Sequence, residues 1–111
     1  MLKTTNFEIR LDSNLVKTLP EAYAVIRRMS LGENDMMVAY LGIYDNRDLA
    51  RNHRSVEPIR EEKVDFKAVR GNEYEIAYAT AKTPYVIKTL DFEDIIKYPF
   101  FYGWDDDIVS Y

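Results

Sequence analysis

Cysteine is absent from the 111 residues, histidine is a single residue, and glycine and proline number four each. Without cysteine there is no disulfide framework, no thiol nucleophile and no thiolate metal site, and a reducing cytoplasm (the host's, if the protein is viral) is the expected compartment. His53 alone cannot provide the paired-histidine spacing of a metal site. No serine or threonine sits in a nucleophile motif, and neither a glycine-rich phosphate loop nor a dinucleotide fingerprint occurs. The expectation is a chain that is not an enzyme and holds no metal or cofactor. Long apolar runs are missing too: the longest stretch without a charge, Met36 to Tyr44, is nine residues, far below the ~20 that span a bilayer. The segment from Met1 to Asp12 carries Glu8, Arg10 and Asp12 and has no signal-peptide core. No membrane partner is expected.

What is present is the composition of a folded domain: 47% hydrophobic and 31% charged residues, with no low-complexity tract. Residues 1–111 read as a single globular domain, large enough to bury about two-thirds of the surface of its unfolded chain. The net charge of -4 is unevenly placed. Residues 1–90 hold 14 Lys plus Arg against 13 Asp plus Glu, whereas residues 91–111 hold Lys97 against six acids. The whole acidic excess therefore lies in the last fifth of the chain.

Phe7, Ile9 and Leu11 alternate with Glu8, Arg10 and Asp12, which predicts a half-buried strand over 6–12. Thr18-Leu19-Pro20-Glu21 has the form of a capping box, and Ala22, Val25, Ile26 and Met29 recur at helical spacing. Together they predict the main helix over about 19–31, closed by Gly32. Met36 to Tyr44 predicts a strand covered on both faces, and Asp45 or Asn46 can cap a short helix over 47–53. Val64, Phe66 and Ala68 facing Tyr78, Ile76 and Tyr74 predict a hairpin turning at Arg70-Gly71-Asn72. A strand over 85–90 and a short helix over 92–98, ended by Pro99, complete the reading. The predicted class is α+β: a mixed or mainly antiparallel sheet of about five strands, with the main helix and one or two short helices on one face.

The strongest functional signal lies in the C-terminal segment, about 98–111. Tyr98, Phe100, Phe101, Tyr102 and Trp104 are followed at once by Asp105, Asp106 and Asp107. Large aromatics anchor interfaces, and adjacent carboxylates steer a basic partner. Residues Asp105 to Tyr111 resemble the acidic, hydrophobic-ended tip of bacterial single-stranded DNA-binding proteins, which docks on basic pockets of other proteins. Here Val109-Ser110-Tyr111 stands where that family ends in Pro-Phe, so the likeness is one of docking mechanism. A second candidate is Arg47, Arg51 and Arg54, spaced to make a phosphate-facing stripe on the short helix, although Asp48, Glu57, Glu61 and Glu62 lie near enough to neutralise it. The three aspartates are a poor metal site, because consecutive side chains diverge along the chain.

These features predict a non-enzymatic protein-binding module whose C-terminal segment docks on a basic surface of a larger protein. Such a module would act as an inhibitor where that surface binds nucleic acid, in the manner of small viral proteins. The alternatives are a structural or assembly subunit, forming a homo-oligomer or a part of a virus particle, and a single-stranded nucleic-acid-binding protein with an acidic recruiting tip. Nucleic acid ranks below a protein as the expected partner.

Overall fold

The alternation at Phe7, Ile9 and Leu11 does form a strand, longer than the pattern alone predicts. It is β1, Leu2–Asp12 in the computed structural model, which describes residues 1–12, 14–67 and 71–107. The chain turns at once into β2, Leu15–Leu31, and again into β3, Met37–Tyr44. Asn46 then caps α1, Arg47–Arg51, by accepting a hydrogen bond from the Leu49 amide at 2.8 Å, the side-chain cap the sequence predicts. β4, Arg60–Phe66, leads to α2, Glu73–Lys82, and then to β5, Tyr85–Lys88, β6, Asp94–Lys97, and the two-residue β7, Asp105–Asp106.

Five strands form one antiparallel sheet in the order β4-β3-β2-β1-β7, while among the described residues β5 and β6 pair only with each other. The α+β class and the five-stranded antiparallel sheet hold. The main helix over 19–31 does not, because that segment is the central strand β2. Two irregularities disguise its period. The ladder between β1 and β2 skips the level of Asn6 and Pro20, where Asn6 has φ 52, so a proline without an amide donor sits where none is demanded. Arg27 is an extra residue in the pairing with β3, because Ile26 faces Leu41 and Arg28 faces Tyr40. The bulge leaves the Ile26 amide to the Tyr78 hydroxyl of α2, at 2.9 Å. Gly32 closes no helix; it stands at the β2–β3 turn, where Asn34 and Asp35 take φ 56 and 61.

The predicted hairpin over 64–78 is also corrected: Val64 and Phe66 belong to β4, but Tyr74, Ile76 and Tyr78 lie on α2. Ala68 and Arg70 fall outside the described residues. In α2 the buried pair Ala77 and Ala81 recurs at i, i+4, with Glu73 and Glu75 in the first turn and Lys82 in the last to complement the dipole. The helix predicted over 92–98 is strand β6 and its approach.

The core lies mainly on one face of the sheet. Leu19, Ala24, Ile26, Leu41 and Phe66 pack there against Ala77 and Ala81 of α2 and against Phe101 and Trp104. Val25 and Tyr44, which point to the opposite face, pack against Ala50 of α1. The two helices therefore cover opposite faces rather than one. On that second side the Tyr44 hydroxyl donates to the Val56 carbonyl at 2.7 Å, and burial raises its pKa above the ordinary 10.0. Among the described residues no helix is long and apolar enough to cross a membrane.

Candidate functional site

The exposed large apolar side chains are densest on one element, the β5–β6 hairpin, which carries Tyr85, Val86, Ile87, Leu90, Phe92, Ile95 and Ile96. Its register pairs Val86 with Ile96 and Ile87 with Ile95. Because successive strand residues face opposite sides, one pair stands on each face, so the hairpin is apolar on both. Neither face is covered: Val86 and Ile96 are 59% and 56% exposed, and Ile87 and Ile95 are both 41% exposed. Every residue of both strands is exposed. A two-stranded hairpin without a covered face is marginal in water. This one is an arm, delimited by Pro84 at one end and Pro99 at the other.

The arm's tip is more unusual. Thr89 and Glu93 close a three-residue loop: the Phe92 amide donates to the Thr89 carbonyl at 3.0 Å and the Thr89 amide to the Glu93 carbonyl at 2.9 Å. Such loops require a left-handed residue at the third position, normally glycine or asparagine. Phe92 fills it, at φ 61, with its side chain 90% exposed, and Leu90 beside it is fully exposed. A bulky residue is thus held there against its own backbone preference, at a cost of about 1–2 kcal/mol.

The base of the arm opens on a cavity of about 830 Å³ between the outer side of β4, the C-terminal half of α2 and the segment Tyr98 to Phe101. Tyr98 and Phe100 line it; the Tyr98 ring packs on Tyr102, with centroids 4.7 Å apart, and the Arg60 guanidinium lies 5.2 Å from the Phe100 ring. The molecule as a whole is extended. Its radius of gyration is 15.1 Å, against about 13 Å for a domain of this length. Its accessible surface is 7998 Å², against about 6,400 Å² for a monomer of this mass.

The C-terminal candidates divide. Phe101 and Trp104 are 0% and 5% exposed and belong to the core, edge to face at 4.9 Å, with Phe7 packed 5.1 Å from Trp104. Tyr98, Phe100 and Tyr102 remain on the surface. The turn at 99–104 sorts them: the Tyr102 amide donates to the Pro99 carbonyl, the Trp104 amide donates to the Phe101 carbonyl, and Gly103 supplies φ 87.

The aspartates are largely engaged within the chain. Asp106 pairs with Lys82 at 2.7 Å, and Asp107 pairs with Arg47 at 3.1 Å and Lys3 at 3.8 Å, while its amide donates to the Met1 carbonyl. These contacts dock β7 against β1, and Asp105 is the one of the three aspartates that is exposed and has no ion pair among the described residues. No protein-family model, curated protein or solved structure matches the chain.

The three arginines are not brought into one stripe. Arg47 faces Asp107, Arg51 is exposed at the end of α1, and Arg54 lies beyond it in a second cavity of about 530 Å³ with Arg27, Arg28, His53 and Glu61. Glu61 bridges Arg27 at 3.2 Å and Arg28 at 3.3 Å, and Glu57 also reaches Arg27. Among the described residues no cluster of His, Asp or Glu could hold a metal ion.

Sequence reasoning missed the arm because it divided 85–98 between a sheet strand and a helix. A signal was present: neighbouring apolar residues at Val86-Ile87 and Ile95-Ile96, in a segment bracketed by prolines, describe strands with no polar face.

Proposed function

We propose that this protein is a non-enzymatic binding module that docks on protein by its β5–β6 arm. The observation that carries the reading is the arm itself, apolar on both faces and uncovered on both. Exposed apolar surface of this extent on one projecting element is the composition of an interface rather than of a solvated hairpin. Tyr98, Phe100 and Tyr102 extend the same surface to the arm's base, so three of the C-terminal aromatics keep an interface role.

The reading moves the weight from the acidic segment to the arm, and from an inhibitor of nucleic-acid binding toward an assembly subunit. Salt-sensitive docking by three free aspartates has less behind it, with Asp106 and Asp107 already in ion pairs. A lipid surface is disfavoured by Asp91, Glu93 and Asp94, which surround Leu90 and Phe92 and would be repelled by an anionic leaflet.

The test is the fluorescence of anilinonaphthalene sulfonate, a reporter of exposed apolar surface, with dilute protein. The wild type should bind the dye. The double substitution Val86→Lys with Ile96→Lys removes one of the arm's two apolar faces, so it should weaken dye binding markedly and leave the unfolding temperature nearly unchanged, since both side chains are more than half exposed. Dye binding unchanged in the double variant, or a large fall in its unfolding temperature, would refute the reading.

A further inference from the structure

The five-stranded sheet ends on β4, and among the described residues no strand pairs with its outer edge. Such an edge is a row of unpaired amides and carbonyls ready to accept another strand. On the other side β1 is covered by β7 at Leu2 and Lys3, and the rest of its edge is broken by Asn6 at φ 52 and by a register shift between Arg10 and Asp12, so it offers a poorer template. Alongside β4, and not β1, lies the cavity of about 830 Å³ that the arm's own base also lines, through Tyr85 and Tyr98. An uncovered apolar arm and an uncovered edge with an open cavity thus occur on one chain and adjoin each other.

We propose that two copies of the chain pair by exchanging arms, each arm lying in the cavity of the other copy and adding a strand to its β4. The inference rests on the reading of the arm as a docking element and names its partner. Size supports it. At ~3.3 Å per residue the seven residues of β4 extend about 23 Å, enough to receive a four-residue strand and the turn beyond it. The ten exposed apolar and aromatic side chains between Tyr85 and Tyr102 carry on the order of 1,000 Å², taking ~150–250 Å² for each large aromatic. A stable interface needs about 800 Å² from each partner.

Charge supports a second copy over a partner of one sign. Among the described residues no salt bridge engages Lys63 or Asp65 on β4, or Glu93 and Lys97 on the arm, and Lys88 and Asp94 stand opposite each other in the arm without one. Both surfaces thus present unpaired charges of both signs, which a two-fold contact between identical chains can match and a uniformly basic or acidic surface cannot. A hydrophobic arm left beside an open edge is otherwise a route to uncontrolled association, and reciprocal exchange closes it.

The experiment uses the full chain. Sedimentation velocity across a concentration series should give a dimer, twice 13.1 kDa, in reversible exchange with monomer. Val86→Lys with Ile96→Lys should weaken the dimer by about 30-fold or more, with an unchanged circular dichroism spectrum. Because the chain has no cysteine, two single variants provide a geometric check. Mixed Ile96→Cys and Asp65→Cys proteins should form the mixed disulfide faster than either forms its own. A dimer that persists in the lysine variant, or mixed cross-links no faster than self cross-links, would overturn arm exchange. A monomer at all concentrations whose arm still binds the dye would overturn the second copy as partner and leave the docking reading standing. A monomer that binds no dye would remove both, and a monomer that floats with phosphatidylcholine vesicles would overturn arm exchange in favour of a lipid surface.

Discussion

Replacing Phe92 by glycine should have opposite effects on the arm and on the assembly. Phe92 sits at φ 61, a conformation that asks an L-residue for about 1–2 kcal/mol that glycine is spared. Its side chain is 90% exposed, so truncation removes little packing from the single chain. In the monomer, Phe92→Gly should therefore stabilise the hairpin by about 1 kcal/mol, raising amide protection at Ile87 and Ile95 by about fivefold. In the dimer the same change deletes an aromatic at the tip, where full burial is worth about 1.5–3 kcal/mol, so dissociation should rise by about 10- to 100-fold. Hydrogen exchange on dilute protein reads the first effect and sedimentation velocity the second. Loss of arm protection in the glycine variant would show that Phe92 holds the hairpin together rather than being tolerated by it. Unchanged association would remove the tip from the interface.

Phe101→Ala, at a side chain with no exposure, should destabilise the fold by about 3–5 kcal/mol in a denaturant titration, and wild-type Trp104 should emit in the blue and resist iodide quenching. Asp107→Asn, which weakens pairs with Arg47 and Lys3, should cost about 1 kcal/mol by thermal unfolding, against no measurable loss for Asp105→Asn. Tyr44 has a pKa raised above 10.0 by burial, so the folded state holds a proton that the unfolded chain releases. Its contribution is present below pH 10 and is lost as pH rises further, and Tyr44→Phe should lessen the alkaline fall in stability.

Local chemistry made some of the fold legible. The alternation in β1, the uncharged stretch of β3 and the Asn46 cap each answer to a rule confined to a few neighbouring residues. β2 was illegible for a tertiary reason: a skipped level at Pro20 and an extra residue at Arg27 each shift the strand's phase, and the resulting Ala22, Val25, Ile26 and Met29 spacing imitates a helix. The competing sign lay just beyond, in Asn34-Asp35, a pair suited to left-handed hairpin turns. Tyr74, Ile76 and Tyr78 alternate as a strand would, yet Ala77 and Ala81 supply the face that packs. At the candidate site the aromatic segment was visible, but its division into buried Phe101 and Trp104 and exposed Tyr98, Phe100 and Tyr102 depends on a turn whose direction no pattern encodes.

Hydrogen exchange of the arm amides, followed against protein concentration, tests the central claim most directly. Residues 85–88 and 94–97 should exchange quickly in dilute solution, as an uncovered two-stranded hairpin must, while β2 and β3 stay protected, and arm protection should rise together with dimer content. Arm amides as protected as those of β3 at every concentration would contradict the account, because the arm would then be part of the folded body and not a docking element.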